Sequence, residues 1–211
     1  MYRVFAKIAL CCVLFALPFG AGAQDRPLAT AMDEMRDGNW TAAMITARGD
    51  GQVGLDLILW HWLRAGHGDA RQLIDFVTRN PDWPGMPYLR EKSEAAIVEA
   101  SHDAVRAFFA EQGPQTGTGA LSYARALQAA GRGGEAEAEI VLAWRTLALS
   151  SDEHAAFLAD HGTLLKPHHA ARLDMALWKR WSSNARAMLP LVSDGERALA
   201  EARLALARQA H

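Results

Sequence analysis

The histidines in the second half of the chain are the residues best suited to metal chemistry. His154 and His161 lie seven positions apart, and His168 and His169 follow them. In a helix, seven residues are about two turns, or roughly 10 Å, which is too far for two side chains to share one ion. A protein metal site also needs three or four converging ligands. We therefore predict capping or surface histidines, no metal site and no cofactor.

Three closely spaced glutamates, Glu135, Glu137 and Glu139, are of the residue type that glycoside hydrolases use in pairs. We expect them on one solvated side of a helix, without the apolar pocket that raises the pKa of a catalytic acid. Arg172 and Asp174 are two residues apart and point in different directions on a helix, which favours a role in tying neighbouring helices together. The sequence therefore predicts no catalytic residue.

Seven tryptophans offer flat rings of the kind that stack on the apolar face of a pyranose. Six of the seven occupy helical positions where a large ring would fill a gap between helices, so we predict core packing for each. Trp60 and Trp62 are two residues apart in one predicted helix and cannot face the same way. One of them is expected near the surface, and this pair is the candidate glycan contact. The full set is Trp40, Trp60, Trp62, Trp83, Trp144, Trp178 and Trp181.

Residues 1–23 have the pattern of a secretory signal peptide. Arg3 and Lys7 give a basic start, residues 8–19 are an apolar run, and residues 21–23 form a small-residue cleavage site. The run is too short for a good membrane span. Cleavage after Ala23 would leave residues 24–211 in the periplasm and would remove both cysteines, Cys11 and Cys12, so no disulfide is expected.

The charge of the remaining chain excludes one class of partner. Loss of Arg3 and Lys7 from the 22 basic residues leaves 20, against 24 acidic residues, for a net charge of −4 with neutral histidines. No basic stripe is visible along the sequence, so we predict no nucleic-acid partner.

The most clearly patterned segment, residues 118–149, predicts a helical hairpin. In its first half Ala120, Tyr123, Ala124 and Leu127 form one apolar stripe, with Ser122, Arg125 and Gln128 turned away. Gly131 suits the left-handed residue that commonly ends a helix. In its second half Ala136, Ile140, Trp144 and Leu147 repeat the spacing. Two helices joined by so short a turn must lie antiparallel, stripe against stripe.

Similar apolar stripes, glycine breaks and capping residues predict the helices in the rest of the chain. Residues 24–30 are interpreted as a flexible lead-in and residues 49–54 as a glycine-rich break, while Asn39, Asp69 and Ser151 are predicted N-caps. Helices are predicted at 31–36, 40–48, 55–65, 70–78, 88–100, 102–111, 121–130, 135–148, 152–161, 167–181, 185–191 and 195–208.

The predicted fold class is all-α. No segment alternates with period two over six residues, and the connections between helices are short. We therefore predict antiparallel helical hairpins stacked in chain order as an α-superhelix, a TPR-like solenoid spanning residues 24–211. In the last helix Leu199, Ala202, Leu204 and Leu206 form an apolar side that we expect to be uncovered.

Several motifs, taken in order, resemble those of the N-terminal superhelix of soluble lytic murein transglycosylases of the α-proteobacterial type. The resemblance covers roughly residues 55–207. The motifs are Asn80-Pro81-Asp82-Trp83-Pro84; Phe108-Phe109 followed by Gly113-Pro114-Gln115-Thr116; Ala126-Leu127 with Gly131 and Glu135-Ala136; Ala143-Trp144-Arg145; and Arg172-Leu173-Asp174 with Leu177-Trp178.

This resemblance implies a periplasmic protein that acts with peptidoglycan. Members of the family cleave the β-1,4 bond between N-acetylmuramic acid and N-acetylglucosamine, using a glutamate that is followed directly by serine in a lysozyme-like C-terminal domain. No glutamate of this sequence precedes a serine. The resemblance therefore implies a non-catalytic, inactive helical region, either a fragment of a larger enzyme or a truncated relative.

The partners implied are peptidoglycan glycan strands, and a C-terminal catalytic domain or a periplasmic protein. The alternative interpretation is a TPR-like periplasmic scaffold that binds another protein and has no enzymatic role.

Overall fold

The computed structural model describes residues 26–209, and within that range it contains α-helices and short 3-10 turns but no strand. The prediction of an all-α protein is confirmed. The helices are α1 (Pro27–Arg36), α2 (Trp40–Ala47), α3 (Gly51–Arg64), α4 (Ala70–Arg79), α5 (Met86–Ile97), α6 (His102–Phe109), α7 (Gly117–Ala129), α8 (Gly133–Thr146), α9 (Ser151–Leu165), α10 (His169–Trp178), α11 (Ser182–Met188) and α12 (Asp194–Gln209).

Most helices pack against the next one in the chain, and several also pack against the one after it. The α7–α8 and α1–α2 pairs form the most extensive neighbouring contacts, and α5 contacts α7, α7 contacts α9, and α10 contacts both α8 and α12. This pattern follows from short connections between amphipathic helices, each of which needs neighbours on more than one side.

The hairpin predicted at residues 118–149 is present as α7 and α8. Gly131 has a φ of 75°, the left-handed conformation expected after a helix end. The backbone N–H of Arg132 donates to the carbonyl of Leu127 at 2.9 Å, which closes the end of α7. On α8, Ala136, Ile140 and Trp144 are fully buried.

Buried side chains form three cores, and α7 belongs to two of them. The first core joins α1, α2 and the middle of α3 through Ala31, Ala43, Ala47 and Ile58. The second core extends from Leu63 on α3 to Ala126 on α7. The third core runs from Ala120 on α7 to Ala200 on α12.

Because α7 is packed on two sides, one expectation for it is wrong. Ser122 was predicted to turn outward but is buried, at 6% exposure. Besides its contact with α8, α7 packs against α5 and α6. Arg125 and Gln128 are exposed, as predicted.

The first, third and seventh predicted helices each start four residues too late, and α7 begins at Gly117 rather than residue 121. α1 begins at Pro27 rather than residue 31, because proline fits the first turn of a helix, where its missing N–H is not needed. α3 begins at Gly51 rather than residue 55. Gly54 does not break this helix: a Cβ there would lie 2.8 Å from the carbonyl oxygen of Ala47, so glycine lets α3 pack on the end of α2.

Two of the three predicted N-caps are present, and the third lies one residue earlier than predicted. The side chain of Asn39 accepts from the N–H of Ala42 at 3.4 Å, and Asp69 forms a reciprocal capping box with Gln72, so both predicted caps are confirmed. The cap of α9 is Ser150 rather than Ser151, because Glu153 stands at the third helical position and completes a capping box with Ser150.

The predicted signal peptide, residues 1–23, lies outside the described residues. Across residues 26–209, no helix combines the length and the apolar composition that crossing a bilayer requires.

Candidate functional site

The last turns of α3 carry the two tryptophans predicted to contact glycan. Trp60 and Trp62 are both half-buried and pack against the second core. The guanidinium carbon of Arg64 lies 4.5 Å from the centre of the Trp60 ring, one helical turn along α3. Trp60 therefore presents a ring face covered by a cation, and its indole Nε1 is buried without a hydrogen-bond partner in the described part of the chain.

Tyr88 on α5 extends this arrangement to a second helix. Its side chain is 45% exposed, and the guanidinium carbon of Arg64 also lies 5.1 Å from the centre of its ring. Lys92, one turn further along α5, places its Nζ 5.6 Å from the same ring. We call Trp60, Arg64, Tyr88 and Lys92 the aromatic–cationic surface.

This surface combines two kinds of contact useful for a carbohydrate polymer. An exposed aromatic ring can stack on an apolar sugar face, and cation–π pairs of this geometry contribute about 0.5–1 kcal/mol at exposed sites. Arg64 and Lys92 together carry up to eight N–H donors, and such donors suit hydroxyl and carboxylate oxygens.

Trp62 does not take part in this surface. Its ring stacks on His67 with centroids 5.9 Å apart, and the His67 ring also meets the edge of Trp40 at 5.6 Å. The two candidate tryptophans therefore face different ways, as their spacing predicted. Of the two, Trp60 belongs to the aromatic–cationic surface, where Arg64 lies between its ring and that of Tyr88 on α5.

The remaining tryptophans divide unevenly between core and surface. Trp144 is fully buried in the third core, which confirms its predicted packing. Trp178 is 76% exposed, so the prediction of core packing is wrong for this residue. It is the last residue of α10, at the point where this helix ends.

The histidines were predicted at capping or surface positions, but His154 is half-buried and His169 is buried. His169 Nδ1 lies 3.1 Å from the carbonyl oxygen of Leu191, the last residue of a 3-10 turn, which is a capping contact. The rings of His154 and His169 both pack against the buried Trp144 ring, with centroid distances of 5.1 and 5.7 Å. Burial lowers the pKa of His154, and nearby Arg172 and His169 lower it further. Among the described residues no group of three or more histidine and carboxylate side chains converges as metal ligands would.

The three candidate glutamates lie on α8 in different surroundings. Glu135 and Glu137 are exposed, and the hydrogen bond from Arg132 lowers the pKa of Glu135. Glu139 is half-buried rather than fully solvated, and burial raises its pKa. Glu135 and Glu139 lie one turn apart on the same side of α8, whereas Glu137, two residues from each, points to a different side, contrary to the prediction of one shared side. The three glutamates therefore do not form a pair that faces across a cleft.

Arg172 and Asp174 link helices, as predicted. Arg172 is 2% exposed, and its guanidinium donates to the carbonyls of Trp144 and Leu147 at the end of α8 and to Asn184 Oδ1 on α11. Burial lowers the pKa of Arg172 to about 10. Asp174 forms an ion pair with Arg203 of α12 at 3.1 Å.

Sequence reasoning missed the buried charges around the start of α7. Glu94 on α5 is 1% exposed and accepts from the N–H of Gln115 at 2.7 Å and from the N–H and hydroxyl of Thr116 at 2.8 and 2.6 Å. From the opposite side Glu153 on α9 accepts from the N–H of Thr118 at 2.7 Å. These carboxylates satisfy N–H groups that a helix start leaves without partners.

Two glycines make room for these carboxylates. A Cβ at Gly119 would lie 2.8 Å from Glu94 Cδ, and one at Gly117 would lie 2.9 Å from Glu153 Cδ. The pair of glycines at 117 and 119 is the one signal in the sequence that could have located this site.

The apolar side predicted for α12 is uncovered in part. Leu199 and Leu206 are 63% and 65% exposed, whereas Leu204 is half-buried against the third core. Ala202 is exposed.

Comparison of the chain with protein-family models, with curated proteins and with solved structures finds no match.

Proposed function

We propose that this chain is a non-catalytic helical region of a periplasmic lytic transglycosylase, in which it holds peptidoglycan glycan strands while a separate catalytic domain cleaves them. Its helices would form a TPR-like superhelix. The order of motifs between residues 80 and 178 and the signal-like residues 1–23 support this proposal. The observation that carries it is the aromatic–cationic surface.

Binding at this surface would use Tyr88 as the stacking ring and Arg64 as the adjustable donor. The Tyr88 side chain is the more accessible of the two, since it is 45% exposed whereas Trp60 is half-buried. Arg64 lies between both rings and can donate to sugar hydroxyls or to the carboxylates of peptidoglycan.

The surroundings of Glu94 support a non-catalytic role. A buried carboxyl with a raised pKa is what a glycosidase uses as its general acid. Burial does raise the pKa of Glu94, although the hydrogen bonds from Thr116 and Gln115 oppose this shift. Both oxygens are occupied by the loop that leads into α7, so the carboxyl acts as a helix cap and has no free oxygen to offer a glycosidic bond.

Co-sedimentation with purified sacculi tests the proposal. We expect the wild-type chain to pellet with sacculi, and the double variant Arg64→Ala/Tyr88→Ala to lose at least about tenfold in affinity, since two contacts of roughly 1 kcal/mol each are removed. Trp178→Ala is the matched control, because it removes an exposed aromatic ring elsewhere on the molecule.

Equal pelleting of the double variant and the wild type would exclude the aromatic–cationic surface as the glycan site. Incubation of the wild-type chain with sacculi should release no anhydro-muropeptides. Their release would contradict the non-catalytic part of the proposal.

A second candidate function, a scaffold that docks another periplasmic protein, is favoured by α12. Its exposed leucines, Leu199 and Leu206, would contribute apolar area to a protein interface. The double variant Leu199→Glu/Leu206→Glu should then abolish retention of a protein partner while leaving the binding to sacculi unchanged. Loss of sacculus binding in this variant would favour glycan contact at α12 instead.

A further inference from the structure

Arg90 on α5 is a buried cation, and only one of its three guanidinium nitrogens donates a hydrogen bond within the described residues. Its side chain is 7% exposed, and its guanidinium carbon lies 4.3 Å from the centre of the Phe108 ring. One nitrogen, Nη2, donates to the carbonyl of Phe108 in the last turn of α6. Within residues 26–209 no hydrogen bond engages Nε or Nη1, and neither is among the nitrogens shut off from solvent.

These remaining donors belong to a residue that lines a pocket of about 360 Å³. The walls are mostly apolar and come from three helices and the loop after α4. The lining residues are Ile74, Val77, Thr78, Pro81, Arg90, Ala107, Phe108 and Glu111. A mostly apolar hollow with one fixed cation is typical of a site that orients a small anionic group.

A larger hollow lies next to this pocket along α4. Ile74 and Thr78 line both this pocket and an adjoining hollow of about 900 Å³ between α4, α5 and α6. Ala96, Ala100 and Ala104 form much of the second hollow, which leaves room for side chains of a ligand. We call the two hollows together the α4 groove.

The charges of the α4 groove restrict the sign and place of a bound charge. Glu111 lies on the pocket wall, close enough to influence Arg90, whose pKa burial lowers and Glu111 and Glu94 raise. Asp69, Asp75 and Glu99 line the larger hollow together with one cation, Arg71. A ligand with many negative charges would be repelled there, whereas one with a single anionic end could place that end at Arg90.

We propose that the α4 groove binds the C-terminal end of a peptide, with the terminal carboxylate on the free guanidinium donors of Arg90 and the apolar side chains along Ile74. A peptide fits better than a free small acid, because the groove extends well beyond the pocket that holds Arg90. The inference does not depend on glycan binding at the aromatic–cationic surface.

The geometry accounts for the choice of arginine at this position. The stacking on Phe108 and the bond to its carbonyl fix the plane of the guanidinium, so little conformational entropy is lost when a carboxylate binds. A lysine could cap the end of α6 but would not present two further donors in a fixed plane.

An array of peptides with random terminal residues tests this proposal. Each peptide is immobilised through its N-terminus and presented once with a free C-terminal carboxylate and once as the amide. We expect the wild-type chain to bind a subset of the free-acid peptides at least tenfold more tightly than their amides. Equal binding to both forms, or no binding to either, overturns the proposal.

Three variants locate the site. Thr78→Trp places a large ring at an exposed position of the groove and should abolish binding, whereas Thr163→Trp on α9, also exposed, should not. Arg90→Lys should weaken binding at least tenfold. Thermal unfolding of each variant checks that it is folded.

Glu111→Gln gives the sign of the ligand charge. Removing this carboxylate from the pocket wall should strengthen binding of a free-acid peptide by several fold, while Glu201→Gln on α12 makes the same charge change and should have no effect. Weaker binding by Glu111→Gln would mean that a cationic group occupies the pocket and would overturn the assignment.

Discussion

The second and third cores each contain a buried arginine stacked on an aromatic residue. The guanidinium carbons of Arg90 and Arg172 both lie 4.3 Å from a ring centre, Phe108 and Trp144 respectively, and each arginine donates to the carbonyl of that same residue. Both carbonyls belong to the last turn of a helix, where carbonyl oxygens lack intrahelical partners and carry a partial negative charge. The helix end therefore takes the place of a carboxylate counterion.

The two sites differ in how many acceptors each guanidinium group has within the described residues. Arg172 has acceptors in Trp144, Leu147 and Asn184, and its buried Nε has no hydrogen-bond partner within residues 26–209. Arg90 has a single acceptor in the described residues and lines an open pocket. The same arrangement thus serves as a closed structural link in one core and leaves donors accessible in the other.

Replacement of the aromatic partner in the closed site should have the largest effect. Trp144→Ala removes a fully buried ring that contacts His154, Phe157 and Arg172, so we expect a loss of about 3–5 kcal/mol in the free energy of unfolding. Urea unfolding followed by circular dichroism measures it. Trp178→Ala, at an exposed position, should change stability by less than about 0.5 kcal/mol. Similar values for both would mean that Trp144 is not packed as described.

Replacement of the arginines compares the two sites directly. Arg172→Gln should cost about 3 kcal/mol, because three acceptors lose a charged donor, whereas Arg90→Gln should cost about 1.5 kcal/mol for one such bond. The same unfolding measurement applies to both. A larger loss for Arg90→Gln would show that its role is chiefly structural and would weaken the comparison.

Gly119 at the start of α7 tests the packing around Glu94, which lies one helical turn from Arg90 on α5. Gly119→Ala would bring a methyl group against the buried Glu94 carboxyl, and we expect a loss of about 2 kcal/mol from overpacking. Gly134→Ala on α8 is the control, because a Cβ there meets no other atom within 4 Å. It should stabilise the chain by about 0.5–1 kcal/mol, as alanine favours a helix more than glycine does.

The smallest expected effect is a difference in pH dependence between Glu94 and Glu153. Burial raises the pKa of Glu94 above its ordinary value of 4.5, so its contribution to stability is present at low pH and is lost as pH rises through the folded-state pKa. Burial alone would raise the pKa of Glu153 too, but hydrogen bonds from Ser150 and Thr118 outweigh it and lower the pKa. Its contribution is present above pH 4.5 and is lost as pH falls through the folded-state pKa.

Unfolding free energies measured from pH 3 to 7 separate the two carboxylates. The stability of the wild type relative to Glu94→Gln should decrease with rising pH above 4.5, and relative to Glu153→Gln it should decrease with falling pH below 4.5. The same slope for both variants would contradict the different surroundings described for the two residues.

Local sequence patterns predicted the helices and the hairpin, because caps, glycine turns and apolar stripes act over a few residues. Asn39, Asp69 and Gly131 were identified in this way. The exposure of Trp178 and the burial of Ser122 could not be predicted, since both depend on which helices pack against α10 and α7. Buried charges were missed for the same reason: nothing near Arg90 or Glu94 in the sequence shows that helix ends from distant segments will meet them.

The position of α7 in two cores determines how the molecule can open. Opening of either the second or the third core exposes part of α7, so these two cores are expected to unfold as one cooperative unit. Helices α1 and α2 contribute buried residues only to the first core and can detach while the others remain folded. Amide hydrogens of α7 should therefore exchange with solvent only through global unfolding, and those of α1 through a smaller and more frequent opening.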